Sequence, residues 1–478
     1  MYLEDSTFSR SGAAMMALND ASDKGGALYA RGSSVSWLAE TNYLDNFAGD
    51  SDGALCAIDS SVSWATDILN NSVNKSGSAL FALESSFSWN GDTEISSKTA
   101  GESGGALYAL DSSIWWIGET ESSNNSADAV FLARSTLFWM RNTTLAHSHA
   151  EDGLSGALTA FMSSRVVWSE GYTKFIDNCA RFSAGALYVT RDSEVSWTGD
   201  TEFVGNTAEL SGGRAAYVVI GRHVSWTGDT SFTSNEALVA DGDVAATTAL
   251  ASGGRKQHRR LDPRHERNHH LLQQRGRSKR RRLSSAGGMY SDCRPRSRCI
   301  YIGNSAAVAG AAIFLSGTSG GPAFTDVSLV SNSAEIGGAV SLFGSGTKEP
   351  GDHPTTFDWC RFIGNRAAAK GGAINSAAGK DSIFSSVFEG NSAGTGGALR
   401  LAGTTSVYNC SFVENSSDDG EGAAVSNIGY IAMIENISFS SDGFDCPSGM
   451  FLDYNAVRSF ACVRYFDGLA TRPRQFSK

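Results

Sequence analysis

No stretch of this chain strings together the roughly 18 apolar residues that a transmembrane helix needs, so none is expected. Apolar residues never hold an i, i+3, i+4, i+7 pattern for three turns within a repeat unit, which leaves helices almost no room. The eight cysteines, at 56, 179, 293, 299, 360, 410, 446 and 462, form no CxxC pair, which argues against a zinc site. Cys360 and Cys410 read as buried small apolar groups, and Cys446 with Cys462 as a pair able to close a C-terminal loop. Met1-Tyr2-Leu3-Glu4-Asp5 has neither a charged n-region nor an apolar h-region, so no secretory leader is written here. Because the repeats start almost at once, a truncated or mis-started reading frame that lost its leader is expected. No Ser-His-Asp, Cys-His or out-of-phase carboxylate cluster stands out, so no catalytic, metal or cofactor-binding residue is nominated.

What is abundant is repetition. Gly25-Gly26-Ala27-Leu28-Tyr29 is followed by Ser34-Val35-Ser36-Trp37, and the phrase returns as Gly104-Gly105-Ala106-Leu107-Tyr108 with Ser113-Ile114-Trp115-Trp116. Trp37, Trp64, Trp89, Trp116, Trp139, Trp168, Trp197 and Trp226 are spaced by 27, 25, 27, 23, 29, 29 and 29 residues. Such a period means one unit stacked many times. The unit from Ser183 to Ala208 splits into Ala186–Thr190, Glu194–Trp197 and Thr201–Val204, with Gly, Asp and Ser at the breaks. Short alternating runs of this kind read as half-buried strands, and the Gly-Asp turns as corners where Asp caps its own backbone.

In the second half the unit reads Phe362-Ile363-Gly364-Asn365-Arg366-Ala367 with Gly371-Gly372-Ala373-Ile374. Its asparagines, Asn304, Asn332, Asn365, Asn391 and Asn415, are spaced by 28, 33, 26 and 24 residues, and Asn206 and Asn235 share their phase. Stacked asparagines can form an amide ladder. The tryptophan column is expected to be an apolar stack in or on the wall, with an aromatic platform for sugar rings as the rarer alternative. The fold expected is all-β: a right-handed parallel β-helix of about 14 turns, three short strands each, with like strands ~4.8 Å apart and a rod on the order of 65 Å long.

The paired signals Gly-Gly-Ala-(Ile/Leu/Val) and Phe-x-x-Asn-x-Ala resemble the repeats of the polymorphic outer membrane proteins of chlamydiae. They also resemble related right-handed parallel β-helix repeat proteins of algae and other microbial eukaryotes. The phased copies run from about Gly25 to Ala424. The resemblance implies a surface-exposed or secreted, passenger-like solenoid acting in adhesion. After Ser438 no series of roughly ten-residue amphipathic strands follows, so the membrane barrel of that family is not expected in this chain. Ser-Val-Ser-Trp lies outside the chlamydial pattern and favours the eukaryotic relatives.

Composition fits this reading: 53 Gly, 7 Pro, 41% hydrophobic residues and a net charge of −11 suit a Gly-punctuated solenoid with a mildly acidic exterior. One segment breaks the pattern. Residues 255 to 282 hold twelve Arg or Lys and two acids, so about +10 sits there against −21 elsewhere. It reads as a solvated loop or as non-coding sequence carried into the gene; a nucleic-acid patch is disfavoured by the acidic repeats on both sides.

The organisation expected is therefore an N-terminal cap or truncated turn (1–24), repeats with the Ser-x-Ser-Trp column (25–254), the basic interruption (255–299), repeats of the Phe-x-x-Asn type (300–440), and a C-terminal tail or cap (441–478). Glycosylation sequons occur at Asn70, Asn74, Asn124, Asn142, Asn409, Asn415 and Asn436. The function expected is non-enzymatic contact with glycans or with cell-surface and matrix proteins, outside the cell. A polysaccharide-modifying lyase, hydrolase or epimerase on the same fold is the alternative.

Overall fold

The structure is a computed structural model. It describes the chain apart from residues 38–40, 50–53, 65–67, 70, 74–78, 97–104, 191, 211–214, 219–222, 227, 238–298, 317–322, 344–354, 378–379, 403, 420–421, 428–432, 436, 441–443, 446–450, 455–458 and 464–478. The basic interruption up to residue 298 and, separately, Cys446 lie outside the described residues. Of Cys462 only the strand is described.

Among the described residues every regular element is a strand, and the strands stack turn upon turn into a parallel β-solenoid. One turn shows the plan. Leu187–Val189, Glu194–Trp197 and Thr201–Val204 each pair in parallel, in register, with Ala216–Val218, His223–Trp226 and Thr230–Thr233 one turn later. A fourth strand of two residues, Thr207–Ala208, pairs with Glu236–Ala237. Many turns therefore carry a fourth strand beyond the expected three, while the turn of Leu107–Leu110, Ser113–Ile117 and Thr120–Ser123 keeps three. The fourth was hidden because two residues between a turn-forming Asn and the next glycine corner show no alternation.

Three columns of strands can be called the leucine, tryptophan and phenylalanine sheets after their inward residues. The first two contain nine strands each before the interruption, while the phenylalanine sheet runs unbroken through fifteen, one more than the expected number of turns. Residues 1–24 are no simple cap. Tyr2–Glu4, Thr7–Arg10, Ala14–Ala17 and Asp20–Ala21 already form a full turn paired to the next.

Stacking bypasses the interruption. Thr230–Thr233 pairs directly with Cys299–Ile302, so Phe232 lies on Tyr301 with ring centroids 4.9 Å apart. The leucine and tryptophan faces resume as Ile313–Ser316 and Ala323–Thr325. There the second face buries one apolar residue per strand (Phe324, Phe357, Ile383, Val407), joined by buried Asp381 and Thr405 in the two longer strands, and the chain then turns at Asp326, Trp359, Ser385 and Asn409, all at positive φ between 48° and 57°. At the C-terminal end Phe451–Tyr454 and Ser459–Val463 pair antiparallel with each other, and the latter also with Met433–Glu435. The reversed pair extends that sheet by two strands and leaves Phe451–Tyr454 at its edge.

Two glycines explain the corner phrase. Gly371 has φ of +64°, a left-handed value that penalises any Cβ. A Cβ on Gly372 would sit 2.0 Å from the carbonyl oxygen of Gly397, one turn on. The first glycine is needed for conformation and the second for close approach of successive backbones.

Candidate functional site

A solenoid offers function on its outer columns, so what faces inward must be separated from what faces out. Alternation on the pleat decides this. In the tryptophan sheet Trp89, Trp116, Trp139, Trp168 and Trp197 point inward, at most 1% exposed. Their rings stack at centroid separations of 4.5, 5.3, 4.8 and 4.5 Å. Trp37 is buried and meets Tyr43 edge-on at 6.3 Å. Trp64 and Trp226 hold the same register, beside Trp89 and Trp197, but their side chains lie outside the described residues. With both faces of the stacked rings covered, this column is no platform for sugars. The Nε1 groups of Trp116, Trp139 and Trp168 find no acceptor among the described residues, a cost of about 1–3 kcal/mol each that the large apolar area offsets.

The asparagines form a continuous internal column. Asn206 Nδ2 donates to Asn235 Oδ1 at 3.0 Å, Asn235 to Asn304 at 3.1 Å, Asn304 to Asn332 at 2.9 Å and Asn332 to Asn365 at 2.9 Å. Asn365 donates to Asn391 and Asn391 to Asn415, each at 2.9 Å. The second amide hydrogen goes to a backbone carbonyl, as from Asn365 to Leu329 at 2.9 Å. Each amide oxygen also accepts the backbone N–H of the asparagine one turn before. Donors and acceptors are thereby matched inside the wall, as burial demands.

Two parts of this network escaped sequence reasoning. Asn46, Asn71 and Asn178 occupy the same column, and the signal was present: Tyr43 and Phe175 precede Asn46 and Asn178 by three residues. A second ladder is built of serine. Ser33, Ser60, Ser85 and Ser112 each donate a backbone N–H at 3.1 Å to the serine hydroxyl one turn on, while Ser60 Oγ donates to the Ile58 carbonyl at 2.7 Å. A Ser-Ser doublet at 33–34, 60–61, 85–86 and 112–113 marks it, but serine is so common in turns that the doublet is no signal by itself.

The Gly-Asp turns differ from expectation in one respect. Asp92 Oδ1 accepts the Glu119 N–H and Asp200 Oδ1 the Asp229 N–H, each at 2.9 Å, so the carboxylate caps the next turn and not its own. Cys360 and Cys410 are buried, and burial pushes each thiol up to about 12, which leaves them unreactive. Cys299 is disulfide-bonded, to a partner outside the described side chains.

A shallow cleft of about 690 Å³ runs along the corner between the leucine and tryptophan sheets. Asp5, Asp59, Glu84, Asp111 and Arg134 occupy one corner position on successive turns (Gly32 takes the same place), all with φ near +50°. Arg134 grips Asp111 with two hydrogen bonds of 2.7 Å, which holds that carboxyl below its usual range. A separate acid lies elsewhere in the wall. Asp128 stands before Ala129-Val130 where neighbouring turns have Gly105 and Gly156. It accepts the Ser155 N–H at 2.9 Å and is fully buried, which raises its carboxyl to about 7. Among the described residues no group of three His, Cys, Asp or Glu could hold a metal ion.

Stacked in-register strands and internal polar ladders define the chain as a parallel β-solenoid repeat protein. Residues 360–377 match the model of the Chlamydia polymorphic membrane protein repeat. That stretch contains three of the strands of one turn, Arg361–Ile363, Arg366–Lys370 and Ile374–Ser376, with ladder residue Asn365 and the Gly371-Gly372 corner between them. No curated protein and no solved structure matches the chain.

Proposed function

We propose that this protein is a non-enzymatic β-helix repeat protein of the cell surface or extracellular space, acting in adhesion through contact with glycans or matrix proteins. One observation carries the reading: the outward titratable groups recur in phase. The corner acids Asp5, Asp59, Glu84 and Asp111 sit at one position of successive turns, as do the exposed pairs Arg165–Glu194 at 3.4 Å and Lys174–Glu202 at 3.3 Å. Catalysis calls for an acid and a base in unlike environments, whereas repeated equal positions make a long uniform face. The match to a polymorphic membrane protein repeat supports the location. Among the described residues no helix is long and apolar enough to cross a membrane.

Of the seven sequons, we assign modification to Asn124 and Asn409, which are exposed at positive-φ turns. Asn415 is 3% exposed and its amide lies in the ladder, so it is unsuited. Asn142 is half-buried and donates to Glu119 at 3.0 Å. Asn70, Asn74 and Asn436 lie outside the described residues.

The polysaccharide-modifying alternative draws on Glu84, Asp111 and Arg134 meeting along the cleft. Arg134 keeps Asp111 ionised, however, and so removes it as a general acid. The test is to screen the full chain against a glycan array and whole cells, and in parallel to incubate it with pectate and alginate. Selective binding without new chain ends is expected. Unsaturated or newly reducing products would overturn the non-enzymatic reading.

A further inference from the structure

The outward face of the tryptophan sheet is interrupted once. The outward residue before each inward Trp is serine at Ser36, Ser63 and Ser88, then becomes Trp115 and Phe138, then Val167. Trp115 is 37% exposed, although its neighbour Trp116 is buried. Its ring stacks on Phe138 at 4.2 Å and 19°, so it stands across the solenoid axis. The opposite face therefore looks toward the preceding turn, where Ser88 is too short to cover it. Exposed Ser86 and Asn90 flank Ser88 on the same strand. The result is a step with an aromatic wall, a hydroxyl floor and an amide and a hydroxyl at the sides.

Building on the glycan-contact reading above, we propose that this step is a subsite for one ring of a neutral oligosaccharide. A pyranose has an apolar C–H face that suits the electron-rich face of an indole. Its edge hydroxyls suit the Asn90 amide, which both donates and accepts, and the Ser86 and Ser88 hydroxyls. A few directional polar groups around an apolar wall are what fixes a small ligand's orientation. The corner acids Asp59 and Glu84 border the same face, so uronate or sulfated chains meet like charge and are disfavoured. Serine rows on the earlier turns let the chain continue along the face without obstruction.

The full chain and its Trp115→Ala, Trp115→Phe and Asn90→Ala variants are to be titrated with cellohexaose, laminarihexaose and hexagalacturonate. At least one neutral hexaose should bind, Trp115→Ala should weaken it by about tenfold or more, Trp115→Phe by less, and hexagalacturonate should not bind. All variants should remain folded, since both side chains lie outside the core, with Trp115→Ala melting somewhat lower for the loss of its stack on Phe138. Equal binding by Trp115→Ala would overturn the subsite while leaving glycan contact elsewhere intact. Cell adhesion without binding of any neutral glycan would overturn the subsite and turn the adhesion reading toward proteins. A Trp115-dependent dimer in sedimentation velocity would overturn it as well.

Discussion

Replacing Asn365 by Ala removes the middle of the amide column. Its Oδ1 accepts two hydrogen bonds from Asn332, from the backbone N–H at 3.0 Å and from Nδ2 at 2.9 Å. Its Nδ2 donates to the Leu329 carbonyl and to Asn391 Oδ1, both at 2.9 Å. Alanine leaves the Asn332 N–H and the Leu329 carbonyl without these partners in a fully buried wall. Asn391 Oδ1 is better placed, since it still accepts the residue 365 backbone N–H at 3.0 Å. Each orphaned group costs about 1–3 kcal/mol, so a loss of roughly 3–5 kcal/mol is expected, concentrated on the turns beside residue 365. A solenoid passes stability between neighbouring turns and need not unfold in one step. The decisive assay is therefore residue-resolved hydrogen exchange together with urea unfolding. The Asn332 amide should lose protection strongly, while amides in the Trp89 and Trp116 turns should hardly change. Wild-type protection of Asn332 with an unshifted urea midpoint would refute the idea that the column stabilises the wall.

Three further outcomes are expected. Asp128 releases its proton above about pH 4 when unfolded but holds it to about 7 when folded, so folding takes up a proton in that window and stability falls as pH rises through it; Asp128→Asn should remove much of this fall and gain about 1–3 kcal/mol at pH 8, read as urea midpoints at pH 5 and 8. Gly372→Ala should cost several kcal/mol, about 2–4, because its Cβ meets the Gly397 carbonyl oxygen at 2.0 Å, whereas Ala at the exposed Gly12, where nothing lies within 4 Å, should be neutral by thermal melting. Exchanging residues 238–298 for a copy of residues 209–229, the span that joins Ala208 to Thr230, should preserve the Phe232–Tyr301 contact, since Cys299 already takes the place after Thr230; loss of hydrogen-exchange protection at the Tyr301 amide would count against direct stacking across the segment.

The period of the tryptophans and the phase of the asparagines were enough to announce stacked turns, because a one-residue slip on a pleat would turn every inward side chain outward. Gly-Gly-Ala marked the corners for a similar reason: left-handed φ at Gly371 and the carbonyl against Gly372 leave no room for another residue. Periodicity could not reveal the two-residue fourth strand, since alternation needs more residues than Thr207–Ala208 provides. Nor could composition separate the Ser33–Ser60–Ser85 ladder from ordinary turn serines, for the distinction lies in a partner 25 to 27 residues away.

What the residues determined alone was the repeat, its strand-and-corner character and which side chains would share a column. What only the tertiary structure decided was the meaning of those columns. Adjacent tryptophans 115 and 116 are alike on paper, yet the pleat buries one between two rings and leaves the other with one face open beside Ser88. Likewise only the stacked backbone brings Thr230 to Cys299 across the long basic run. Contact between turns depends on register through space, and spacing along the chain carries that register only where the period is kept.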